Sequence, residues 1–211
     1  MRLKTLQRTF LLIGLCVGVV SAAGAETDVA ASLYGAFSGT TTADLVVQSP
    51  ANSAGGLLEL RHISKPYIGY EATYSFNRGN QSYLNTLIAC PANFLPIPCI
   101  APAPVSVKAN AHEMTADWLA SVKIANLRPF ALAGGGLLLD VPVSGQASTS
   151  TATKGVFVYG GGLDWGLLPH LGLRLQYRGN LYQAPHLSKL FTNGSAFTHT
   201  AEPMIGIYFR L

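Results

Sequence analysis

The chain closes on FTHTAEPMIGIYFRL, residues 197–211, a stretch in which apolar and polar or small side chains alternate. Reading back from the end, every second position is apolar: Leu211, Phe209, Ile207, Ile205, Pro203 and Ala201. This period of two gives a β-strand one apolar face and one polar face. A long exposed strand of this kind is rare at the end of a soluble protein, because a free edge promotes aggregation. A membrane barrel can end this way, since its last strand pairs with its first. The stretch therefore predicts the closing strand of an outer-membrane barrel.

The same alternation recurs along the chain and predicts eight strands of roughly the 9–11 residues needed to cross a bilayer. The predicted strands cover residues 28–37, 56–63, 67–76, 111–123, 128–139, 155–167, 171–182 and 197–211. Gly134-Gly135-Gly136 leaves the facing of the fifth strand ambiguous. The predicted fold class is all-β, an eight-stranded antiparallel transmembrane up-and-down β-barrel. Short turns and long loops alternate, so we expect the turns and both termini in the periplasm and the long loops outside the cell.

The N-terminus has the organisation of a secretory signal peptide. Arg2, Lys4 and Arg8 precede an apolar run over residues 10–20, and Ala23-Gly24-Ala25 forms a small-x-small cleavage site. Such a run is too short to span a bilayer as a helix. We therefore predict a signal peptide over residues 1–25, a barrel domain over residues 26–211, and a location in the bacterial outer membrane.

The charge of the predicted mature chain is almost balanced. Loss of the three N-terminal basic residues leaves eleven Lys and Arg side chains against ten acidic ones. No basic patch with interleaved aromatic residues is present, so nucleic acid is not an expected partner. Downstream of the signal, no run of eighteen apolar residues predicts a transmembrane helix. Abundant glycine, sparse charge and alternating apolar residues together favour membrane β-structure over disorder.

Three stretches resemble the OmpA-type and opacity-type family of small eight-stranded outer-membrane barrels. They are Tyr67-Ile-Gly-Tyr-Glu-Ala-Thr-Tyr-Ser-Phe76, Arg128-Pro-Phe-Ala-Leu-Ala-Gly-Gly-Gly136 and Pro203-Met-Ile-Gly-Ile-Tyr-Phe-Arg-Leu211. Ile207, Phe209 and Leu211 resemble the C-terminal assembly signal of such barrels, although Leu211 replaces the usual final Phe. The resemblance implies a protein without enzymatic activity or cofactors, with a structural role or an adhesive role through its loops. A small ion or solute channel and a lipid A-modifying enzyme remain alternatives. Outer-membrane lipid, lipopolysaccharide and the barrel-assembly machinery are the expected partners of a monomer.

The inward positions of the predicted strands collect most of the strand charges. The acidic residues are Glu59, Glu71, Glu113, Asp117, Asp164 and Glu202, and the basic residues are Arg61, Lys123, Arg174, Arg178 and Arg210. An eight-stranded barrel is just wide enough to be filled by its own side chains. Isolated buried charges are costly, so we expect these groups to pair and fill the lumen. The alternative is a gated path for ions or protons through the same groups.

The longest predicted loop contains the two mature cysteines, Cys90 and Cys99. In an oxidising compartment these predict a disulfide. A zinc site is a poor alternative, because two thiols without nearby histidines do not complete one. The enclosed segment, residues 91–98, is unusually apolar for a loop. It is expected to pack on the barrel rim or lipid head groups, with partner binding as the alternative.

Two further sequence patterns have the residue types of a catalytic or a phosphate-binding site. His186 and Ser188 lie two residues apart at the outer end of the seventh predicted strand, and Glu202 lies on the eighth. The pair faintly resembles the His-x-Ser of outer-membrane lipid A deacylases, in which His would act as base for Ser. Lys189-Leu190 replaces the small polar residues expected after that serine, and Glu202 faces inward by alternation. A loop-capping role is therefore preferred. The glycine triplets at 134–136 and 160–162 lack the spacing and following helix of a phosphate loop, and indicate relief of crowding in a narrow barrel.

Overall fold

The computed structural model describes residues 25–43, 45–64, 67–85, 103–146, 148–189 and 196–211. Ten strands run through these residues: β1 (Glu26–Ser38), β2 (Thr41–Ala43), β3 (Val46–Pro50), β4 (Ser53–Ile63), β5 (Ile68–Asn85), β6 (Val105–Ser121), β7 (Leu127–Pro142), β8 (Ala152–Gly166), β9 (Leu171–Gln183) and β10 (Phe197–Arg210). Over this part of the chain, no helix is long and apolar enough to cross a membrane. Residues 1–24, most of the predicted signal peptide, lie outside the described residues.

Eight of the strands close into an antiparallel barrel, which confirms the predicted fold class. The sheet order is β2-β3-β5-β4-β1-β10-β9-β8-β7-β6, and β5 also pairs with β6, which closes the ring. The seam between the first and last strands runs from Asp28↔Arg210 to Ser38↔Thr200. The closing strand therefore has a partner on both sides, as its alternation predicts.

Alternation along each strand separates a lumen face from an outer face. On β10, Ile205, Ile207 and Phe209 are more than half exposed, whereas Met204 and Tyr208 are buried. An apolar outer face costs free energy in water and is favourable in lipid. A closed barrel satisfies its main-chain hydrogen bonds without a free edge. The molecule thus has the architecture of a transmembrane β-barrel.

The height of the apolar belt matches a membrane. Ten residues separate His199 from Phe209 on β10. At about 3.3 Å per residue and a tilt of roughly 40°, they span about 25 Å along the barrel axis, the usual height of such a belt. Exposed aromatic side chains mark both borders, with Trp118 and Trp165 at one and Phe76 and Phe157 at the other. These positions agree with interfacial aromatic girdles.

The two ends of the barrel differ. The terminus end carries Glu26, Leu211 and the short connections at 64–67, 122–126 and 167–170. The loop end carries the longer connections at 39–52, 86–104, 143–151 and 184–196, of which 39–52 contains β2 and β3. Short and long connections therefore alternate around the barrel, as predicted.

The structure corrects the sequence-based boundaries at the loop end. Residues 77–85 and 105–110, expected to be loop, continue β5 and β6 as a paired ribbon from Asn77↔Ala111 to Tyr83↔Val105. The hairpin of β2 and β3 adds to this ribbon through pairs from Val46↔Asn85 to Pro50↔Gln81. We call this four-stranded structure the extension. On β5, residues 77–82 are polar or glycine on both faces, so the apolar periodicity stops although the main-chain pairing continues. On β6, Val105, Val107 and Ala109 still alternate with polar residues, and Val107 and Ala109 are buried in a small apolar core.

Candidate functional site: the charged lumen and its loop-end cover

Arg61 is the centre of a buried cluster of charges in the half of the lumen nearer the terminus end. Its Nε and Nη2 donate to Oε2 of Glu71 at 2.9 and 2.7 Å. Its Nη1 donates to Asp164 Oδ2 at 3.1 Å, and Nη2 lies 3.0 Å from Glu59 Oε1. The Arg61 side chain is fully buried. One guanidinium thus bridges three carboxylates from three strands, which fixes their positions across the barrel.

Arg174 joins the same cluster from β9. Its Nε and Nη2 donate to the two oxygens of Asp164 at 2.7 and 2.9 Å. It also contacts Glu59, and Nη2 donates to Asp28 Oδ1 at 2.9 Å. Buried charges of opposite sign are therefore arranged as a continuous network rather than as isolated pairs.

Aromatic rings fill the space around these arginines. The Arg61 guanidinium lies 4.0 Å from the centre of the Phe130 ring, within the range of a cation–π contact. An inward glycine, Gly162, lies beside this ring, and a Cβ there would clash with the Leu175 carbonyl oxygen and would lie 2.7 Å from Phe130 Cζ. Gly162 therefore relieves crowding in the lumen, the role that the sequence indicated for its triplet.

Arg178 organises a second cluster nearer the middle of the barrel. Its Nη1 donates to Thr73 Oγ1 at 3.1 Å and its Nη2 to Thr115 Oγ1 at 2.9 Å. Looser ion pairs join Nη2 to Asp117 at 3.5 Å and to Glu113 at 3.6 Å. Side chains from β5 and β6 thus converge on this arginine of β9 and occupy the barrel centre.

The loop half of the lumen holds carboxyl groups that neither cluster fully pairs. Glu113, Asp140 and Glu202 are buried there, and Asn180 Nδ2 donates to Glu113 Oε2 at 3.0 Å. Together with Asn180 they border a cavity of about 60 Å³. This volume is enough for several water molecules but not for a solute path of porin dimensions.

Residues 184–189, which we call the cover, cross the loop end of the barrel. The Pro185 carbonyl accepts hydrogen bonds from the Tyr83 hydroxyl at 3.0 Å and from Gln48 Nε2 at 3.2 Å. The Leu187 amide donates to the Tyr83 hydroxyl at 3.1 Å, and the Leu187 carbonyl accepts from the Ser150 amide at 2.9 Å. Burial raises the pKa of Tyr83 to about 12, so its hydroxyl keeps the proton that it donates.

A small apolar core lies beneath the cover and ties it to the extension. Its buried members are Val46, Tyr83, Val107, Ala109, Ala152 and Leu187. They come from β3, β5, β6, β8 and the cover, so the loop end has its own packing outside the lumen. Such a core holds the extension and the cover in one arrangement.

The terminus rim has a separate set of charges, which corrects part of the predicted lumen network. Lys123 lies beyond the end of β6, is half exposed, and pairs with Glu26 at 3.2 Å instead of entering the lumen. Arg210 is partly exposed and lies 3.3 Å from the same carboxylate, while Arg128 lies 2.7 Å from it. Alternation alone could not locate the end of the strand, so it assigned Lys123 to the wrong place.

Three buried charges were missed by the sequence-based assignment. Asp28, Arg128 and Asp140 all face inward, as the burial pattern of their strands shows. The signal for Asp28 was present, since it alternates with Val29 on β1. Arg128 and Asp140 lie on β7, where the glycine triplet obscured the facing and apolar residues occupy both faces, with Phe130 and Leu138 buried and Leu137 exposed.

The remaining predicted site residues occupy different parts of the molecule. Ser188 and His186 lie in the cover, where burial and nearby Lys154 lower the pKa of His186. Glu202 lies in the lumen beside Glu113 and Arg178. Cys90 and Cys99 fall outside the described residues, so their disulfide stays a prediction. Ile207, Phe209 and Leu211 lie on the outer face of the closing strand and beside its end.

Comparison with known proteins gives a likeness of fold. No protein-family model matches the chain, and no curated protein sequence matches it. The crystal structure of Neisserial surface protein A superposes with a TM-score of 0.51 at 13% identity, covering 89% of this chain and 99% of that one. The outer membrane protein OprG from Pseudomonas aeruginosa gives a TM-score of 0.55 at 10% identity, covering 88% and 95%. At such low identity, the likeness concerns the barrel architecture.

Proposed function

We propose that this chain, a small eight-stranded outer-membrane β-barrel, is a sealed, non-enzymatic anchor that holds a binding surface at its loop end. The observation that carries the proposal is the extension. β5 and β6 stay paired past the apolar belt as far as Tyr83↔Val105, and β3 adds a third strand to them. A protein that served only to fill the membrane has no need of an ordered sheet beyond it.

The state of the lumen supports an anchor in preference to a channel. Arg61, Arg174 and Arg178 are fully buried, and each contacts side chains from other strands across the barrel. A solute path would require these networks to separate, which exposes unpaired charges at a cost of several kcal/mol. The cover adds a second layer over the loop end. Both features favour the interaction role over the channel alternative.

The outer face of the extension has the chemistry of a polar binding surface. Arg78 Nε donates to Asn110 Oδ1 at 2.8 Å, and Asn80 Nδ2 donates to Ser106 Oγ at 3.0 Å. These contacts are exposed, and Lys108 is exposed on the same ribbon. Polar side chains that are held in place by a sheet lose little entropy on binding, which favours recognition of polar partners such as glycans or protein loops.

The orientation proposed here puts the loop end outside the cell and both termini in the periplasm, because short turns face the periplasm in such barrels. Lipid, lipopolysaccharide and the assembly machinery are then the expected contacts of a monomer. Labelling of intact cells tests this orientation in a Cys90→Ser/Cys99→Ser background. Ser106→Cys should react with a membrane-impermeant maleimide, whereas Asn126→Cys should react only after the outer membrane is opened. The reverse pattern would put the extension in the periplasm.

The binding role is tested by adherence. Bacteria that display the wild-type protein should adhere to immobilised fibronectin, laminin or collagen more than bacteria without it. The triple variant Arg78→Ala/Lys108→Ala/Asn110→Ala should lose most of that adherence. Lys123→Ala, which removes a cation at the opposite end, is the matched control and should keep it. No adherence by the wild type to any of the three matrices, or equal adherence by both variants, would contradict the role of the extension.

The lipid A-modifying alternative needs its own test. His186 and Ser188 are in the cover, whereas Glu202 is buried in the lumen. Its charged neighbours there are Arg178 and Glu113. Mass analysis of lipid A from cells with and without the protein should give identical species. A lipid A species that appears with the wild type and vanishes with Ser188→Ala would establish the enzyme and overturn the anchor proposal.

A further inference from the structure

The loop half of the lumen carries more buried acid than its arginine can pair. Arg178 makes ion pairs with Asp117 and Glu113 at 3.5 and 3.6 Å. Asp140 and Glu202 are also buried in this half. The charged group that faces Asp140 is another acid, Glu113, and Glu113 also faces Glu202. Several carboxyl groups that share a buried space cannot all be ionised without cost, so they either keep protons or are joined by a positive charge.

The carboxyl groups of this half border one cavity. The cavity of about 60 Å³ is bordered by Glu113, Asp140, Glu202 and Asn180. One oxygen of each carboxyl group, and the amide oxygen of Asn180, are buried without a hydrogen-bond partner. Asn180 is itself almost fully buried, at 1% exposure, and its amide nitrogen is held by Glu113. Its unpartnered oxygen is thus fixed beside a cavity whose other free groups are also oxygen acceptors.

Oxygen acceptors and surplus negative charge are the ligands of a hard cation. Over the described residues, no three His, Cys, Asp or Glu side chains are close enough together to hold a metal ion directly. The ion must therefore keep part of its water shell. A volume of about 60 Å³ accommodates roughly four to six waters. Mg²⁺ fits this description, because it releases water reluctantly and is commonly held by one or two carboxylates and several waters.

We propose that the cavity bordered by Asp140, Glu113, Glu202 and Asn180 binds one partly hydrated Mg²⁺ ion. The ion neutralises the acid that Arg178 leaves in excess, above all Asp140, and its waters donate hydrogen bonds to the unpartnered oxygens. It joins β6, β7, β9 and β10, which carry these four residues. Mg²⁺ therefore acts as a removable brace in the loop half of the barrel.

The test is a thermal unfolding experiment on the full barrel in phosphatidylcholine vesicles free of lipopolysaccharide. Heat-modifiable gel mobility reports the fraction folded. Millimolar Mg²⁺ should raise the apparent melting temperature in a saturable way relative to EDTA, since a ligand that binds only the folded state stabilises it. Calorimetric titration of the same vesicles should give one Mg²⁺ per chain. Na⁺ at matched ionic strength should give no comparable rise.

Two variants locate the effect. Asp140→Asn preserves shape, removes one surplus charge, and should abolish the Mg²⁺-dependent rise while the Mg²⁺-free barrel stays folded. Asp117→Asn is the matched control, because Asp117 is bound by Thr115 and Arg178 and does not border the cavity. It should keep the rise whatever its own stability. Three results would each overturn the site: a Mg²⁺-dependent rise in melting temperature that persists in Asp140→Asn, an equal rise with Na⁺, or no rise with Mg²⁺ in the wild type. The cavity would then hold water, and the carboxyl groups would be neutralised by protons.

Discussion

Removal of Arg61 is the sharpest perturbation of the charge network. In Arg61→Met, Glu71 loses the two hydrogen bonds that Arg61 donates at 2.9 and 2.7 Å. Glu59 and Asp164 each keep Arg174 as a partner. One buried carboxylate is thus left without its principal cation. Breaking a buried ion pair from one side costs about 3–5 kcal/mol, so we expect a loss of that size in the free energy of unfolding.

The assay is urea unfolding of the barrel in lipid vesicles, followed by heat-modifiable gel mobility. Arg78→Met is the matched control, because the Arg78 contact with Asn110 is exposed, and its loss should cost no more than about 0.5 kcal/mol. The double variant Arg61→Met/Glu71→Gln removes the stranded charge and should recover most of the loss. Equal urea midpoints for Arg61→Met and Arg78→Met would refute the reasoning, because they would mean that Glu71 is solvated and the lumen is not closed by these pairs.

Two further predictions concern the outer face and the glycines. Ile205→Arg puts a charge deep in the apolar belt and should cost roughly 2–4 kcal/mol, whereas Leu211→Arg at the terminus rim should cost little. Normal heat-modifiable folding of Ile205→Arg would contradict the facing of β10. Gly162→Ala should destabilise the barrel by about 1–3 kcal/mol, because its Cβ would clash with the Leu175 carbonyl oxygen and lie 2.7 Å from Phe130 Cζ. A Cβ at Gly155 would meet nothing within 4 Å, so Gly155→Ala should have the same urea midpoint of unfolding as the wild type.

The sequence predicted the barrel well because lipid and lumen impose opposite chemistry on neighbouring residues. The pattern on β10 sufficed to orient Ile205 and Tyr208, and it worked in the same way on every strand with clean alternation. It failed where that contrast ends. Above the belt, residues 77–82 of β5 are polar or glycine on both faces, so this strand carries no periodic signal for its pairing with β6. On β6 the alternation over residues 105–110 is present, but it is short and has no matching pattern on its partner strand. On β7 the glycines removed the signal within the belt itself.

The candidate site was less predictable, because partners across a barrel are set by register and tilt. Alternation shows that Arg61 and Asp164 both face inward, but not that 103 residues of sequence separate atoms only 3.1 Å apart. The cover was equally invisible, since its contacts with Tyr83 and Gln48 depend on where a loop crosses the barrel end. The cavity follows from the same geometry, because Asp140 and Glu202, on different strands, border it only in the closed ring.

The central claim is that the lumen is sealed by its own charges, and ion conduction tests it most directly. Purified protein should be inserted into a planar bilayer beside a sixteen-stranded porin, whose water-filled channel is the positive control. The structure predicts that the wild-type barrel passes no steady current while the porin conducts in the same membrane. Steady single-channel openings of the wild type that change with Arg174→Ala or Glu71→Ala would contradict the claim, because they would show a water path through the network that closes the barrel.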